Sequence, residues 1–135
     1  MDIEDHASCA YDSVEVRKSD VNSLGESFCG STLPPVQVST GNQMLVAFRS
    51  DYSVTGRGFR ASYVINGGST DGPTTPTTTT AAPTTQVPEC SQTLTDLEGE
   101  ITSPNYPNDY DNHRDCTYLI EVSIVHTYIV EFSHL

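Results

Sequence analysis

Residues 69–88, STDGPTTPTTTTAAPTTQVP, divide the chain into two parts. This stretch contains nine threonines and four prolines, and Val87 is its only large apolar residue. Because it has almost nothing to bury, it cannot offset the entropy lost on ordering, and an extended, solvated linker is predicted. Threonine clustered with proline is also typical of an O-glycosylated extracellular linker, and an unmodified tether is the alternative. Residues 1–68 and 89–135 are therefore predicted to be the folded parts.

The folded parts are small, and the chain is strongly acidic. It has 135 residues and a formal net charge of -12, so each part lies near the lower size limit for independent folding. The charge argues against nucleic acid or anionic lipid as partners and favours cations or basic protein surfaces. No apolar run approaches the roughly 18 residues of a membrane-spanning helix, and the opening MDIEDHAS lacks a signal-peptide pattern. We expect no membrane insertion and no export signal within this sequence.

Four cysteines indicate disulfide bonds. Cys9 and Cys29 precede the linker and Cys90 and Cys116 follow it, so the simplest of the three possible pairings closes one loop in each part. Two local disulfides would stabilise small cores and are typical of extracellular proteins. The alternative is a metal site built from these thiols and some of the histidines, but no CxxC pair or HxxxH helix supports it.

Alternating and apolar segments predict an all-β chain. The five predicted strands are residues 10–17 (AYDSVEVR), 43–50 (QMLVAFRS), 59–65 (FRASYVI), 116–122 (CTYLIEV) and 127–132 (TYIVEF). The second and third are expected to form a hairpin-like pair across the 51–58 loop. Residues 102–115 contain prolines and asparagines that predict a long loop with turns. Since no helical apolar stripe is present, two packed sheets are expected.

Aromatic and catalytic motifs add little to this picture. Most of the seven tyrosines are predicted to pack in the core, whereas Tyr52 and Tyr110 are predicted to be exposed because they lie in loops. No GxSxG turn is present, and no serine or cysteine has a histidine placed by a recognisable motif. The sequence therefore does not predict an enzyme.

Several motifs resemble one known family. The runs CAYDSVEVR (9–17), FCGSTLPP (28–35) and MLVAFRSDYSVTGRGFRASY (44–63) resemble the C-terminal half of a CUB domain, an extracellular β-sandwich module. After the linker, Cys90 with GEITSPNYPNDYDNHRDCTYLIEV (99–122) is similar to the N-terminal half of the same module. The resemblance implies an antiparallel β-sandwich of jelly-roll type and the disulfides Cys9–Cys29 and Cys90–Cys116.

The order of the two halves departs from the family pattern. By resemblance, residues 1–68 are the C-terminal part of one CUB domain and residues 89–135 are the N-terminal part of a second, as in a fragment of a tandem repeat. Each half lacks strands that the other supplies. The two halves could therefore associate into one circularly permuted sandwich, either within a monomer or in a strand-swapped dimer.

The resemblance also implies a calcium site. In the calcium-binding members, the ligand positions correspond here to Glu4, Asp12 and Asp51, with Ser53 following, and Tyr106 of SPNYP would support them. Carboxylates are suitable ligands for calcium, which takes several oxygen ligands. The alternative is that these acids are solvated residues of turns and strand ends.

The function implied by the resemblance is noncatalytic. We expect an extracellular, calcium-dependent interaction module, in which the acidic ligands beside the ion bind a lysine of a protein partner. One alternative is a structural spacer that binds no ligand. Another is an accessory region of an extracellular protease whose catalytic domain lies outside this chain.

Overall fold

The computed structural model describes residues 1–19, 22–66, 90–121 and 127–133. Nine strands and no helix are found in these ranges. The strands are β1 (Ser13–Arg17), β2 (Glu26–Phe28), β3 (Gln37–Val38), β4 (Gln43–Arg49), β5 (Arg60–Asn66), β6 (Gln92–Leu94), β7 (Glu98–Thr102), β8 (Asp115–Glu121) and β9 (Thr127–Phe132). The predicted linker, residues 69–88, lies outside the described residues, so its solvation and glycosylation stay predictions.

The strands form two packed sheets, which confirms the all-β sandwich predicted from the alternating segments. One sheet has the order β2-β1-β4-β8-β6, and the other has the order β3-β9-β5-β7. Neighbouring strands are antiparallel except for β6 and β8, which run parallel. Strands from both sides of residues 69–88 occur in each sheet, because β4 pairs with β8 and β5 pairs with β7 and β9. The two parts of the chain thus build one sandwich together.

The core lies between the two sheets and follows from the alternation of each strand. In β1, Val14 and Val16 point inward and are almost fully buried. The central strand β4 contributes Met44, Val46 and Phe48 to the same space. The core cluster consists of Met1, Ile3, Val14, Val16, Met44, Val46, Phe48, Phe59, Ala61, Tyr63, Ile101, Tyr110, Cys116, Tyr118, Ile120, Tyr128, Val130 and Phe132. Burying this apolar surface is the main driving force for joining the two parts.

The predicted hairpin between residues 43–50 and 59–65 is wrong. β4 lies in the five-stranded sheet, where β1 and β8 occupy both of its edges, whereas β5 lies in the four-stranded sheet. The connection 51–58 therefore crosses from one sheet to the other. Alternation identifies the buried face of a strand but does not determine which sheet the strand joins. Here the two strands belong to different sheets and share no hydrogen bonds.

Two disulfide bonds reinforce the same end of the five-stranded sheet, where β1 and β8 begin and β4 ends. Cys9 is bonded to Cys29, and Cys90 is bonded to Cys116. These are the pairs implied by the resemblance, and the described residues contain no free cysteine. Because all four cysteines are in disulfides, the alternative of a thiolate metal site is removed.

Candidate metal centre

Three carboxylates, two near the N-terminus and one about forty residues later, converge at one end of the sandwich. One oxygen from each of Glu4, Asp12 and Asp51 lies within 4.8 Å of the others. Asp12 is fully buried, and the other two are partly buried. Since like charges at this separation repel one another, the cluster requires a compensating positive charge or proton.

The register of two strands explains why Asp12 meets Asp51. β1 and β4 are antiparallel, with Ser13 opposite Arg49, so the residue before β1 lies beside the segment that follows β4. The backbone N–H of Asp51 donates a hydrogen bond of 2.7 Å to Oδ1 of Asp12. The buried Asp12 carboxylate thus fixes the start of the 51–58 loop.

Backbone pairing of the N-terminal residues brings Glu4 to the same place. Ile3 pairs with Gly30 and Asp2 pairs with Gly58, each through an isolated antiparallel bridge. Ile3 is also buried in the core, at 3% exposure. The two bridges and the buried Ile3 side chain fix the backbone just before Glu4, which places the Glu4 side chain next to the two aspartates.

Tyr110 connects Glu4 to Asp12. Its hydroxyl donates a hydrogen bond of 2.5 Å to Oδ2 of Asp12 and accepts one of 3.2 Å from the backbone N–H of Glu4. Burial and the hydrogen bond to Asp12 raise the pKa of Tyr110 above its ordinary value. The phenol therefore keeps its proton and remains a donor to the carboxylate.

The prediction that Tyr110 is exposed is wrong, whereas that for Tyr52 is confirmed. Tyr110 is 1% exposed and Tyr52 is 75% exposed. The Tyr110 ring packs edge-on against Phe48, with 4.9 Å between ring centroids. Loop residues are usually exposed, but the Tyr110 ring covers one end of the core while its hydroxyl bonds Asp12 and the Glu4 N–H.

Tyr106, for which the supporting role was expected, has a different neighbour. The pKa of the Arg60 guanidinium is raised mainly by its hydrogen bond to Glu100, and interactions with Tyr106 contribute to the same shift. The tyrosine in hydrogen-bond contact with Glu4 and Asp12 is Tyr110. Its signal in the sequence is only its position four residues after Tyr106, between Asp109 and Asp111.

The Glu4 carboxylate provides the clearest sign that the cluster suits a cation. Its Oε2 atom is buried and has no hydrogen-bond partner among the described residues. The pKa of Glu4 is raised by desolvation and by the charges of Asp12 and Asp51. A buried oxygen without a donor destabilises the structure unless something else neutralises it. The oxygen-only set of side chains is appropriate for calcium, so the residues fit such an ion.

Hydrogen bonds from two loops hold Asp51. The backbone N–H of Ser53 donates to Oδ1 of Asp51 at 2.9 Å, and the backbone N–H of His113 donates to the Asp51 carbonyl oxygen at 2.7 Å. Ser53, a candidate ligand from the sequence, is therefore adjacent to the cluster and already supports its carboxylate.

A second loop, residues 103–114, positions Tyr110. The Tyr110 N–H bonds the Gly56 carbonyl at 3.0 Å, and the Ser50 hydroxyl bonds the Asp111 carbonyl at 2.7 Å. Hydrogen bonds from Arg114 and Asn105 lower the pKa of Asp111. Asp111 thus stays ionised and ties the loop together beside the cluster.

The chain is similar to several known proteins. A family model described as CUB domain matches residues 1–63 and 90–135. Blastula protease 10 of Paracentrotus lividus is 50% identical over 92% of this chain and 23% of that protein. Neuropilin-1 of Homo sapiens is 36% identical over 98% of the chain and 13% of that protein, and the corresponding values for cubilin of Rattus norvegicus are 33%, 98% and 3%. The chain therefore spans less than a quarter of each of these relatives.

Two further results are negative. The chain has no significant match among solved structures. In the ranges that the structure describes, no helix is long and apolar enough to cross a membrane.

Proposed function

The chain belongs to the CUB domain family, and we propose that it is a noncatalytic extracellular module that binds a protein partner in a calcium-dependent manner. The observation that carries this proposal is the convergence of Glu4, Asp12 and Asp51, together with a buried Glu4 carboxylate oxygen that has no hydrogen-bond donor among the described residues. The Cys9–Cys29 and Cys90–Cys116 disulfides support an extracellular location, since such bonds persist in oxidising compartments.

In this proposal, the three carboxylates hold calcium, and Ser53 contributes beside them. The ion would supply positive charge that offsets the mutual repulsion of the ligands and the desolvation of Glu4. The Tyr110 hydroxyl keeps Asp12 aligned for this role because it donates to Oδ2 of that carboxylate, while Oδ1 accepts from the Asp51 N–H. The backbone N–H of Ser53 donates to Oδ1 of Asp51 and holds that carboxylate in place.

The partner is proposed to present a lysine. Glu4 and Asp51 are only partly buried as residues, so the cluster lies near the surface even though Oε2 of Glu4 is itself buried. An ammonium group is attracted to such acids and donates charge-assisted hydrogen bonds to them. The formal net charge of -12 favours basic partners at longer range as well.

A second candidate is an accessory region of an extracellular protease. It is favoured by the 50% identity to a relative named blastula protease 10, of which this chain matches 23%. In that case, the module would position a catalytic domain that lies outside this chain. The third candidate, a spacer without a ligand, requires that neither calcium nor a basic partner binds.

Calcium titration separates the spacer from the binding module. The wild-type protein should bind calcium in calorimetry, and its Tm should rise, with a stabilisation of about 2.7 kcal/mol at a free calcium concentration 100 times Kd. Asp51→Asn should abolish both signals. Asp109→Asn is the matched control, because this exposed aspartate lies near Tyr110 but outside the cluster. No calcium heat and no Tm shift in the wild type would refute the calcium-dependent module.

The origin of the two halves is a further part of the proposal. Residues 1–68 would derive from the C-terminal part of one CUB domain and residues 89–135 from the N-terminal part of the next domain in a tandem repeat. Support comes from the two separate matched segments and from the pairing of β4 with β8. Sedimentation should find a compact monomer if the halves associate within one chain, whereas a strand-swapped dimer would contradict that arrangement. The complete transcript would test the tandem origin.

A further inference from the structure

The outer face of the four-stranded sheet carries a row of aliphatic side chains. The register places Val38 opposite Ile129 and Ile129 opposite Val64, across β3, β9 and β5. Their neighbours Gln37, Tyr128, Val130 and Tyr63 are buried on the other face, so the three aliphatic residues point away from the core. We call Val38, Ile129 and Val64 the aliphatic row.

The aliphatic row is accessible to a partner. Val38 is 42% exposed and Val64 is 37% exposed, while Ile129 between them is partly buried. Val36, two residues before Val38, is 53% exposed and extends the apolar surface at the β3 edge. An aliphatic stripe across an open sheet face is an unusual use of solvent-facing strand positions, which are polar in most sandwiches.

Carboxylates border the aliphatic row on one side. The adjacent register row places Glu131 and Glu100 on either side of Ser62. Glu98 lies opposite Val64 at the end of the aliphatic row itself. Arg60 forms an ion pair of 2.8 Å with Glu100. Glu98 and Glu131 form no ion pair with any of the residues that the structure describes. The face therefore combines an apolar centre with a negative border.

These features discriminate among possible occupants. Residues 69–88 contain one large apolar residue, Val87, and no lysine or arginine, so they match neither the apolar centre nor the border. A second copy would bring Glu98 and Glu131 against the same acids and would be repelled. A segment with both aliphatic and basic side chains satisfies both parts of the surface.

We propose that this face is a second docking surface, independent of the metal centre, for a protein segment that presents aliphatic side chains beside lysines or arginines. The aliphatic side chains cover Val38, Ile129 and Val64. The basic side chains meet Glu98 and Glu131. Binding here requires no calcium, because none of these residues belongs to the metal centre.

The test uses a synthetic peptide of alternating leucine and lysine, and a matched peptide in which glutamate replaces each lysine. Both are titrated into the full ¹⁵N-labelled chain with calcium chelated, and amide shifts are followed. The lysine peptide should shift amides of β3, β5 and β9, and the glutamate peptide should not. Val64→Thr should raise the Kd by about fourfold, because a hydroxyl replaces one buried methyl group. Glu131→Gln should raise it and weaken its dependence on salt.

Matched controls keep the outcome specific. Val54→Thr makes the same change at a valine that is 59% exposed in the 51–58 loop. Glu26→Gln removes an exposed carboxylate from the five-stranded sheet. Neither variant should alter the Kd of the lysine peptide. Shifts centred on Glu4, Asp12 and Asp51, or equal binding of both peptides, would overturn the proposal. So would self-association that Val64→Thr abolishes, or contacts from residues 69–88 to Val64 in the free protein.

Discussion

Replacing Tyr110 with phenylalanine removes one oxygen from the centre of the carboxylate cluster. The hydroxyl makes two hydrogen bonds, one to the Asp12 carboxylate and one to the Glu4 N–H, and the residue is 1% exposed. A hydrogen bond to a charged group contributes about 1.5–3 kcal/mol, and a neutral one contributes about 1 kcal/mol. Together they predict a loss of about 3 kcal/mol of unfolding free energy, which lowers the Tm by about 12 °C or more in a domain of this size.

The assay is urea unfolding at neutral pH with calcium chelated, and Tyr118→Phe is the control. Tyr118 is also buried, at 3% exposure, but its hydroxyl donates one bond of 2.7 Å to the neutral carbonyl of Thr102. The control should therefore lose only about 1 kcal/mol. If both variants lost the same unfolding free energy with the same m value, the Tyr110–Asp12 hydrogen bond would contribute no more than a neutral one, and our account of the cluster would fail.

Two further predictions concern the same end of the molecule. Gly58 has a φ of +85°, and a Cβ atom there would clash with Ser103 and approach Tyr110. In thermal melts, Gly58→Ala should therefore destabilise the protein by about 2 kcal/mol or more. The control Gly41→Ala should be nearly neutral, because open space surrounds Gly41. The folded-state pKa of Glu4 is raised above its ordinary 4.5, so the folded protein binds that proton more tightly than the unfolded chain, and stability without calcium should rise as pH falls through this pKa. Glu4→Gln should raise the Tm at neutral pH in chelator, and its stability should increase less than that of the wild type when the pH is lowered. A Glu4→Gln variant that melts below the wild type under these conditions would contradict the prediction.

The longer strands were predictable from the sequence because their side chains alternate. β1, β4, β5, β8 and β9 all overlap the predicted segments, and each buries an inward row of apolar residues. In β1, for example, Val14 and Val16 are separated by the partly buried Glu15. Such a pattern depends only on the local chain, so it can be interpreted without knowledge of the sheet.

Four strands were not predicted, because their sequences lack this pattern. β2, β3 and β6 have two or three residues, too few for an alternation to be recognised. β7 has the sequence EGEIT, in which only Ile101 is fully buried. These strands exist because the longer strands beside them offer open hydrogen-bonding edges, which is a property of the assembled sheet.

The site could be predicted in part. The family pattern placed the candidate ligands at Glu4, Asp12 and Asp51, which the structure brings together. It did not identify Tyr110, because its burial depends on the space beside Phe48, which exists only when β4 and the 103–114 loop meet. Packing between distant segments is the information that local sequence patterns lack.

The absence of a disulfide bond between the two parts of the described chain has a consequence for its lifetime. Each disulfide lies within a single part, so apart from the connecting polypeptide the parts are held only by strand pairing and core packing. Within one chain, they meet at an effective concentration on the order of millimolar. Proteolysis between residues 66 and 90 would turn an intramolecular encounter into a bimolecular one. The nicked protein would then survive only above its own dissociation constant, so a single cleavage would make its lifetime depend on dilution.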